Sequence, residues 1–400
     1  MTRPSSMASP ADPVFACLSA AARHDDDRSA FAWVSTVDGA ALVTASRSHG
    51  VDHVLLDWMK IVAPEHPAVS ILKRRNDEAA RFHLRAAVAL RDAGSALREA
   101  GVQHVAFKGP ILAALARSTS CRAYSDLDLM VSPHELELAL EVLGRTGAAL
   151  APYTGWRNLL ETEHAQVPMM LPLAVPLDLH WDLCSRPHMR LSWTVEGAEA
   201  LIARSVLMDT AAGPATVLEW NDMLLHTAAH AGWSGGDRLG WLVDVDSVVR
   251  SGSFDWDTVV KRARAWGLEP LVGDVFRRAR DLLGTPIPSE TTHVLRGGAV
   301  GSLLRSAERL RPMKTKRSDH SPGRILSLDT RSGLVGTLGA LTRRSLGYTV
   351  RRARGVPKDR VVEPRRPDDE NWRRPYLSFA TTGSAPRAGS RAEVSSIGKN

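Results

Sequence analysis

Hydrophobic positions recur with helical spacing through the first 100 residues of the chain. The clearest run extends from Asp77 to Ala100, where apolar residues follow at steps of three and four: Ala79, Phe82, Ala86, Ala89, Leu90, Ala93 and Leu97. Steps of this size place side chains on one face of a helix. The pattern predicts an N-terminal helical region over residues 1–100, of which the first 13 residues are polar and Pro-rich.

The pattern becomes mixed from residue 101 onward. Short apolar runs predict three strands, with two helices between them: strands at Val102–Phe107, Leu127–Val131 and Val175–Leu183, and helices at Pro110–Ala116 and Pro133–Gly144. Ser132 is a suitable cap for the second helix, and Pro133 fits the first turn of that helix. Interleaved strands and helices predict a small mixed-sheet domain over residues 101–215.

Helical periodicity returns in residues 216–310, which we assign to a C-terminal helical domain. Its predicted helices are Glu219–Ala231, Gly240–Arg250, Trp256–Trp266 and Pro270–Leu283. The expected fold class is therefore α+β, a small mixed-sheet domain flanked by N- and C-terminal helical regions. Residues 311–400 are rich in Arg, Ser, Gly and Pro, so we expect a basic, partly disordered tail. Within it, the pattern predicts one basic helix at Ser332–Arg354 and disorder over about the final 30 residues.

The net charge is concentrated in this tail. The whole chain carries 51 Lys and Arg against 44 Asp and Glu, but residues 311–400 carry 20 against 8. The other 310 residues carry 31 against 36 and are therefore acidic. Nucleic-acid-binding folds place their basic patch on the folded domain itself, so this distribution argues against a nucleic-acid partner.

Cysteine usage and hydropathy indicate the expected location. The three cysteines, Cys17, Cys121 and Cys184, form no C-x-x-C pair, and no apolar signal segment begins the chain. The best apolar stretch, Ala165–Leu179, contains three prolines and is shorter than the roughly 20 residues of a membrane span. We expect reduced cysteines, no membrane partner and a cytoplasmic location.

Acidic residues interrupt two of the predicted strands. Strand alternation places Asp126 and Asp128 on the same side, opposite Leu127. Two carboxylates held this close repel each other unless a cation joins them, and Mg²⁺ prefers carboxylate and phosphate oxygens. Asp178 on the later strand supplies a third carboxylate if the two strands are neighbours. His180 and Asp182 share its predicted face, so Asp182 is an alternative third carboxylate, and solvent-facing aspartates remain the simpler explanation.

A candidate phosphate site precedes these carboxylates. The predicted strand ends at Lys108-Gly109, and Pro110 begins a helix whose free amides and dipole would favour an anion. Lys108 adds a positive charge, and Gly109 allows a ligand close to the backbone. A tight strand–helix turn with a solvated lysine is the alternative explanation. Phosphoryl transfer depends mainly on positioning and charge neutralisation, which a phosphate turn and three carboxylates together provide.

These motifs, in this order and at this spacing, resemble the uncharacterised nucleotidyltransferases of the polymerase-β-like superfamily. The motifs are Lys108-Gly109, Arg122, the block Ser125-Asp126-Leu127-Asp128-Leu-Met-Val131, and Asp178-Leu179-His180-Trp181. The similarity continues more loosely through His226, His230 and Leu239–Asp244, so that it covers roughly residues 80–360.

The resemblance implies Mg²⁺-dependent transfer of a nucleoside monophosphate from an NTP, with ATP expected, to a hydroxyl of an unknown small-molecule or peptide acceptor. Asp126 and Asp128 would then hold both metal ions, and Asp178 would complete the metal site and help to activate the acceptor. The residues expected to bind the nucleotide are Lys108, Gly109, Arg122 and Ser125.

Several further residues carry weaker signals. His226 and His230 lie four positions apart, which suits a metal pair, a wall of the acceptor pocket or simply packed helix histidines. Arg122 suits a triphosphate or a salt bridge, and Asp244 suits a cap or an orienting role. Two other functions remain open: a nucleotide-binding module without catalysis, and an RNA-directed transferase that uses the basic tail.

Overall fold

The structure, a computed structural model, describes residues 12–25, 34–152, 154–162, 164–184, 193–296 and 369–382. The predicted basic helix Ser332–Arg354 and most of the tail lie outside these ranges. None of the helices in the described ranges is both long enough and apolar enough to cross a bilayer.

In the described part of the N-terminal region, residues 12–25 and 34–100, the helices are α1 (Pro13–Arg23), α2 (Gly39–His49), α3 (Asp52–Val62) and α4 (Pro67–Glu99). Proline at the first turn and the His66 side chain at the N-cap begin α4, a helix of 33 residues. The apolar stripe predicted from the sequence is largely buried in α4, including Ala86, Leu90 and Leu97. The predicted helical region is confirmed.

A seven-stranded mixed sheet forms the centre, in the order β3-β4-β5-β2-β1-β7-β6. The strands are β1 (His104–Phe107), β2 (Leu127–Val131), β3 (Ala149–Leu150), β4 (Gln166–Leu171), β5 (Val175–His180), β6 (Val206–Thr210) and β7 (Gly213–Val217). β2 pairs antiparallel with β1 and parallel with β5. Every residue of β2 is buried, as a central strand covered on both faces requires.

Helices connect these strands: α5 (Gly109–Ala114), α6 (Leu136–Arg145), α7 (Trp156–Glu161) and α8 (Ala198–Ala203). A 3₁₀ turn, Pro133–Glu135, precedes α6, and the Ser132 hydroxyl accepts a hydrogen bond from the His134 amide as its cap. The predicted cap is therefore confirmed, although the first predicted helical turn is tighter than an α-helix.

Between residues 218 and 296, all of which the structure describes, the helices are α9 (Trp220–Trp233), α10 (Leu239–Ser251), α11 (Trp256–Ala265), α12 (Glu269–Leu283) and α13 (Ser289–Val294). The four predicted helices agree with α9 to α12 within two residues at each end. The overall expectation of a small mixed sheet between helical regions is confirmed.

The last described segment corrects one expectation. A 3₁₀ turn at Asp369–Trp372 leads into α14 (Arg373–Thr382), although disorder was expected over about the final 30 residues. Asp369 caps α7 by accepting hydrogen bonds from the Trp156 and Arg157 amides. Tyr376 and Phe379 of α14 are 0% and 1% exposed. Composition suggested disorder, but these apolar side chains are stabilised by packing against the sheet domain.

Candidate functional site

The register of the central strands brings two of the predicted carboxylates together. In the parallel pair of β2 and β5, Asp128 lies directly opposite Asp178. Asp128 is only 4% exposed, whereas Asp178 is half-buried. The predicted adjacency of the two acidic strands is therefore present. β5 ends at His180, so the strand alternation that we expected to reach Asp182 does not extend that far.

Two basic groups contact the Asp128 carboxylate. Lys108 donates from Nζ to Asp128 Oδ1 at 2.7 Å, and His180 Nε2 lies 3.0 Å from the same oxygen. Burial alone would raise the pKa of Asp128, but the charge of Lys108 and the bond to His180 hold it below its usual range. Asp128 is therefore ionised in the folded protein.

The other two carboxylates behave in the opposite way. Burial raises the pKa of Asp126 to about 6, and the neighbouring charges of Asp128 and Asp178 add to this effect. Burial also raises the pKa of Asp178, with a further contribution from Asp128. The site thus contains more negative charge than Lys108 can neutralise. Such an excess is a frequent mark of a functional site.

The donor set fits a bound cation. Asp128, Asp178 and His180 each offer one ligand atom, and these atoms all lie within 4.8 Å of one another. Asp126 is close enough to both of these carboxylates for their charges to raise its pKa. Oxygen ligands suit Mg²⁺, which is usually held by one or two carboxylates together with phosphate oxygens. His180, considered from sequence only as a neighbour, lies within this donor set.

The Lys108-Gly109 turn is strained and closely packed. Lys108 has a φ of 54°, which L side chains rarely adopt, and this geometry carries its side chain towards Asp128. A Cβ on Gly109 would lie 2.8 Å from the Asp126 carbonyl oxygen, so only glycine fits there. Strained backbone of this kind is often found at functional sites.

Arg122 forms a bidentate ion pair, which was one of its two expected roles, but the sequence did not identify its partner. Its Nε and Nη2 donate to Asp244 Oδ1 and Oδ2, at 2.5 and 2.7 Å. This pair connects the loop before β2 to α10. Nη1 of Arg122 is buried without a hydrogen-bond partner in the described part of the chain. Asp244 therefore orients Arg122 and leaves one nitrogen for a further acceptor.

The β6–β7 hairpin, which the sequence pattern did not predict, positions the two histidines of α9. β7 pairs with β1 at Ala106 and Val217, and α9 begins three residues later. His226 then contacts the Phe107 ring, with ring centroids 5.1 Å apart, and stacks at 6.4 Å on His230. Burial and the charge of Lys108 lower the pKa of His230 to about 3, so this ring is neutral.

Most of the predicted site residues line one polar cavity of about 470 Å³. Its lining includes six of the seven: Lys108, Gly109, Arg122, Ser125, Asp126 and Asp128. The seventh residue, Asp178, is not among the residues that line this cavity. Its carboxylate is fixed by Gln166 of β4, which donates from Nε2 to Asp178 Oδ2 at 2.6 Å. No sequence signal indicated Gln166, since its role depends on the β4–β5 hairpin.

Residues 35–284 match the family described as uncharacterised nucleotidyltransferase. This match covers more than half of the chain, so the chain belongs to that family, and the resemblance inferred from the motifs is confirmed. Membership supports nucleotidyl transfer as the general activity and an NTP as substrate. A search of curated proteins gave no match.

Proposed function

We propose that the protein transfers a nucleoside monophosphate from an NTP, with ATP as the expected donor, to a hydroxyl of an acceptor. The acceptor oxygen forms a bond to the α-phosphorus, the bond to the β-phosphate bridging oxygen breaks, and pyrophosphate leaves. The hydroxyl proton passes to solvent or to a nearby base. The observation that carries the proposal is the opposition of Asp128 and Asp178 across β2 and β5, beside the polar cavity.

The three aspartates are assigned to the metal site. Asp126, Asp128 and Asp178 would hold Mg²⁺, with His180 beside them as a further ligand or as a hydrogen-bond partner of Asp128. Bound Mg²⁺ favours ionisation of the acceptor hydroxyl and stabilises charge on the phosphates. Gln166 keeps the Asp178 carboxylate in place through its short hydrogen bond.

The polar cavity is assigned to the triphosphate. Arg122 is fixed by Asp244 on two nitrogens, so its remaining Nη1 can donate to a phosphate oxygen without a further loss of side-chain freedom. Lys108 lines the cavity and forms an ion pair with Asp128, so its positive charge would act on both the carboxylate and the nucleotide. Gly109 leaves the wall of the turn free of a side chain.

The decisive experiment measures pyrophosphate and nucleoside monophosphate release from each NTP, with Mg²⁺ and a panel of hydroxyl acceptors. Asp178→Asn and Asp182→Asn form a matched pair, because they change the same group four residues apart on one segment. We expect Asp178→Asn to remove most activity and Asp182→Asn to keep it. The reverse result would assign the third carboxylate to Asp182, and unchanged rates in both would refute the metal assignment.

A binding module without catalysis predicts a different pair of results. NTP with Mg²⁺ would still raise the melting temperature, because any ligand specific for the folded state does so. Pyrophosphate would not appear with any NTP or acceptor. Under our proposal both signals appear, and both weaken in Asp128→Asn.

A further inference from the structure

A second cavity lies next to the proposed nucleotide site and differs from it in chemistry. We call it the apolar cleft, lined by Leu183, Trp193, Val195, Ala229, Trp233 and Trp266. Lys108, His180 and His226 also line it. The two cavities share Lys108, His226 and His230, so the apolar cleft borders the proposed nucleotide site.

From this arrangement we propose that the apolar cleft is the acceptor subsite and that it takes a short alkyl group beside the reacting hydroxyl. The inference rests on the proposed function, because it names the class of acceptor that the same site would use. The preferred acceptor is then an alcohol with an apolar substituent, rather than a polyol such as a sugar.

The size and lining of the cleft indicate this class. Its volume is about 60 Å³, well below the roughly 150 Å³ of an apolar cavity that accepts benzene. A short alkyl chain fits such a space, whereas a nucleobase does not. Trp266 is 1% exposed and Trp193 is 8% exposed, so the walls that these two rings form are fixed by the core. A polyol would leave its hydroxyl groups without partners against these walls.

His180, which lines the cleft, has one ring nitrogen suited to the acceptor hydroxyl. His180 Nε2 is engaged with Asp128, while Nδ1 is buried and has no hydrogen-bond partner in the described ranges. A hydroxyl group both donates and accepts, so it can satisfy Nδ1 in either tautomer of the ring. An alkyl group in the cleft would hold its hydroxyl beside His180 and therefore beside the carboxylates.

The test compares 1-propanol with glycerol, which have the same number of carbons but differ in polarity. Ligand-observed NMR measures saturation transfer from the protein to each alcohol, without nucleotide. We expect contact with 1-propanol at least about tenfold stronger than with glycerol, the scale of discrimination that a small apolar pocket gives. Ala229→Leu should fill the cleft and remove the preference, while Ala203→Leu, the same change at an exposed position of α8, should retain it.

Val195→Phe fills the cleft from a half-buried position and replaces Ala229→Leu if that variant does not fold. Equal signals from both alcohols in the unmodified protein, or a preference that survives both filling variants, would overturn the inference. A second arm supplies Mg²⁺ and NTP and compares propyl and glyceryl nucleotide esters with hydrolysis to the monophosphate. We expect the propyl ester to dominate in the unmodified protein and in Ala203→Leu, and to be lost in the filling variants.

The two arms separate this inference from the proposed function. If no ester and no monophosphate forms with any alcohol or with water, the proposed function fails, and the NMR arm still decides whether the cleft binds an alkyl group. If monophosphate forms but glyceryl ester equals propyl ester, nucleotidyl transfer stands and the acceptor assignment is wrong.

Discussion

Two buried charge clusters in the molecule differ in their balance. At the junction of β2 and β5, three carboxylates face one lysine, and the pKa values of Asp126 and Asp178 are raised. On α10, Asp246 is as buried as Asp128 but accepts hydrogen bonds from Arg250 and Arg117. The first cluster has an excess of acid, and the second has two guanidinium groups for one carboxylate.

This difference is the one that we expect between a functional cluster, as we propose for the first, and a structural one. Two arginine partners lower the free-energy cost of burying a carboxylate. They also connect segments, here α10 with the loop after α5. A cluster with surplus carboxylates destabilises the fold unless a cation binds, so its retention in a folded chain requires another explanation. Arg122 and Asp244 form a third case, in which one pair is balanced and still leaves a donor for a ligand.

The largest expected effect separates the clusters by activity. Asp128→Asn should lower the rate of nucleotide transfer by about 10³-fold, the scale on which a preorganised charged contact acts. Asp246→Asn should keep the activity of whatever fraction remains folded. Pyrophosphate release per folded molecule measures both, with circular dichroism to count the folded fraction. Similar losses in the two variants would remove the distinction between the clusters.

Stability should respond in the opposite order. Asp246→Asn removes the charge that two arginines contact, so the free energy of unfolding should fall by about 2 kcal/mol. Asp126→Asn relieves repulsion and should leave stability unchanged or slightly higher in the presence of a chelator. Urea unfolding measures both variants. A clear destabilisation by Asp126→Asn would show that this carboxylate has a structural partner.

The pH dependence of stability should also mark the acidic cluster. The pKa of Asp126 is about 6 in the folded protein against 3.8 for an ordinary aspartate. At Asp126 the folded chain therefore holds a proton that the unfolded chain has lost between these values, so the contribution of Asp126 to stability falls as pH rises through this window. The buried histidines, with His230 at a pKa of about 3, act in the opposite direction, so the measurement compares two proteins. In chelator, the melting temperature of Asp126→Asn should rise relative to that of the unmodified protein from about pH 4 to about pH 6. A constant difference between the two melting temperatures would contradict the assignment.

The smallest effect is expected at a neutral contact near the site. Tyr376 of α14 donates to the His164 carbonyl at 2.8 Å and accepts from Trp181 Nε1 at 3.0 Å. Tyr376→Phe should lower the free energy of unfolding by about 1 kcal/mol, because uncharged hydrogen bonds contribute less to stability than charged ones. Thermal unfolding measures the change, and Ser378→Ala, at an exposed position of the same helix, serves as the control. A loss as large as that of Asp246→Asn would indicate that α14 supports the whole sheet.

Prediction from sequence worked where a local pattern carries the information. The strand Leu127–Val131 was predicted with its observed bounds, because an apolar run with a fixed alternation needs no distant partner. The hairpin of β6 and β7 was not predicted. These strands show alternating partial burial with polar residues among them, and the place of the hairpin in the sheet depends on the pairing of β7 with β1, more than 100 residues earlier.

The sequence by itself determined the motifs, their order and the family, because residue types and spacings are local properties. It also determined that two negatively charged side chains, Asp126 and Asp128, lie close together at the start of one strand. Tertiary structure alone decided that Asp178 lies opposite Asp128, that Gln166 holds it, and that Arg122 pairs with Asp244 on a distant helix. Those contacts join segments that are 12 to 122 residues apart, and only the packing of the sheet and helices brings them within hydrogen-bonding distance.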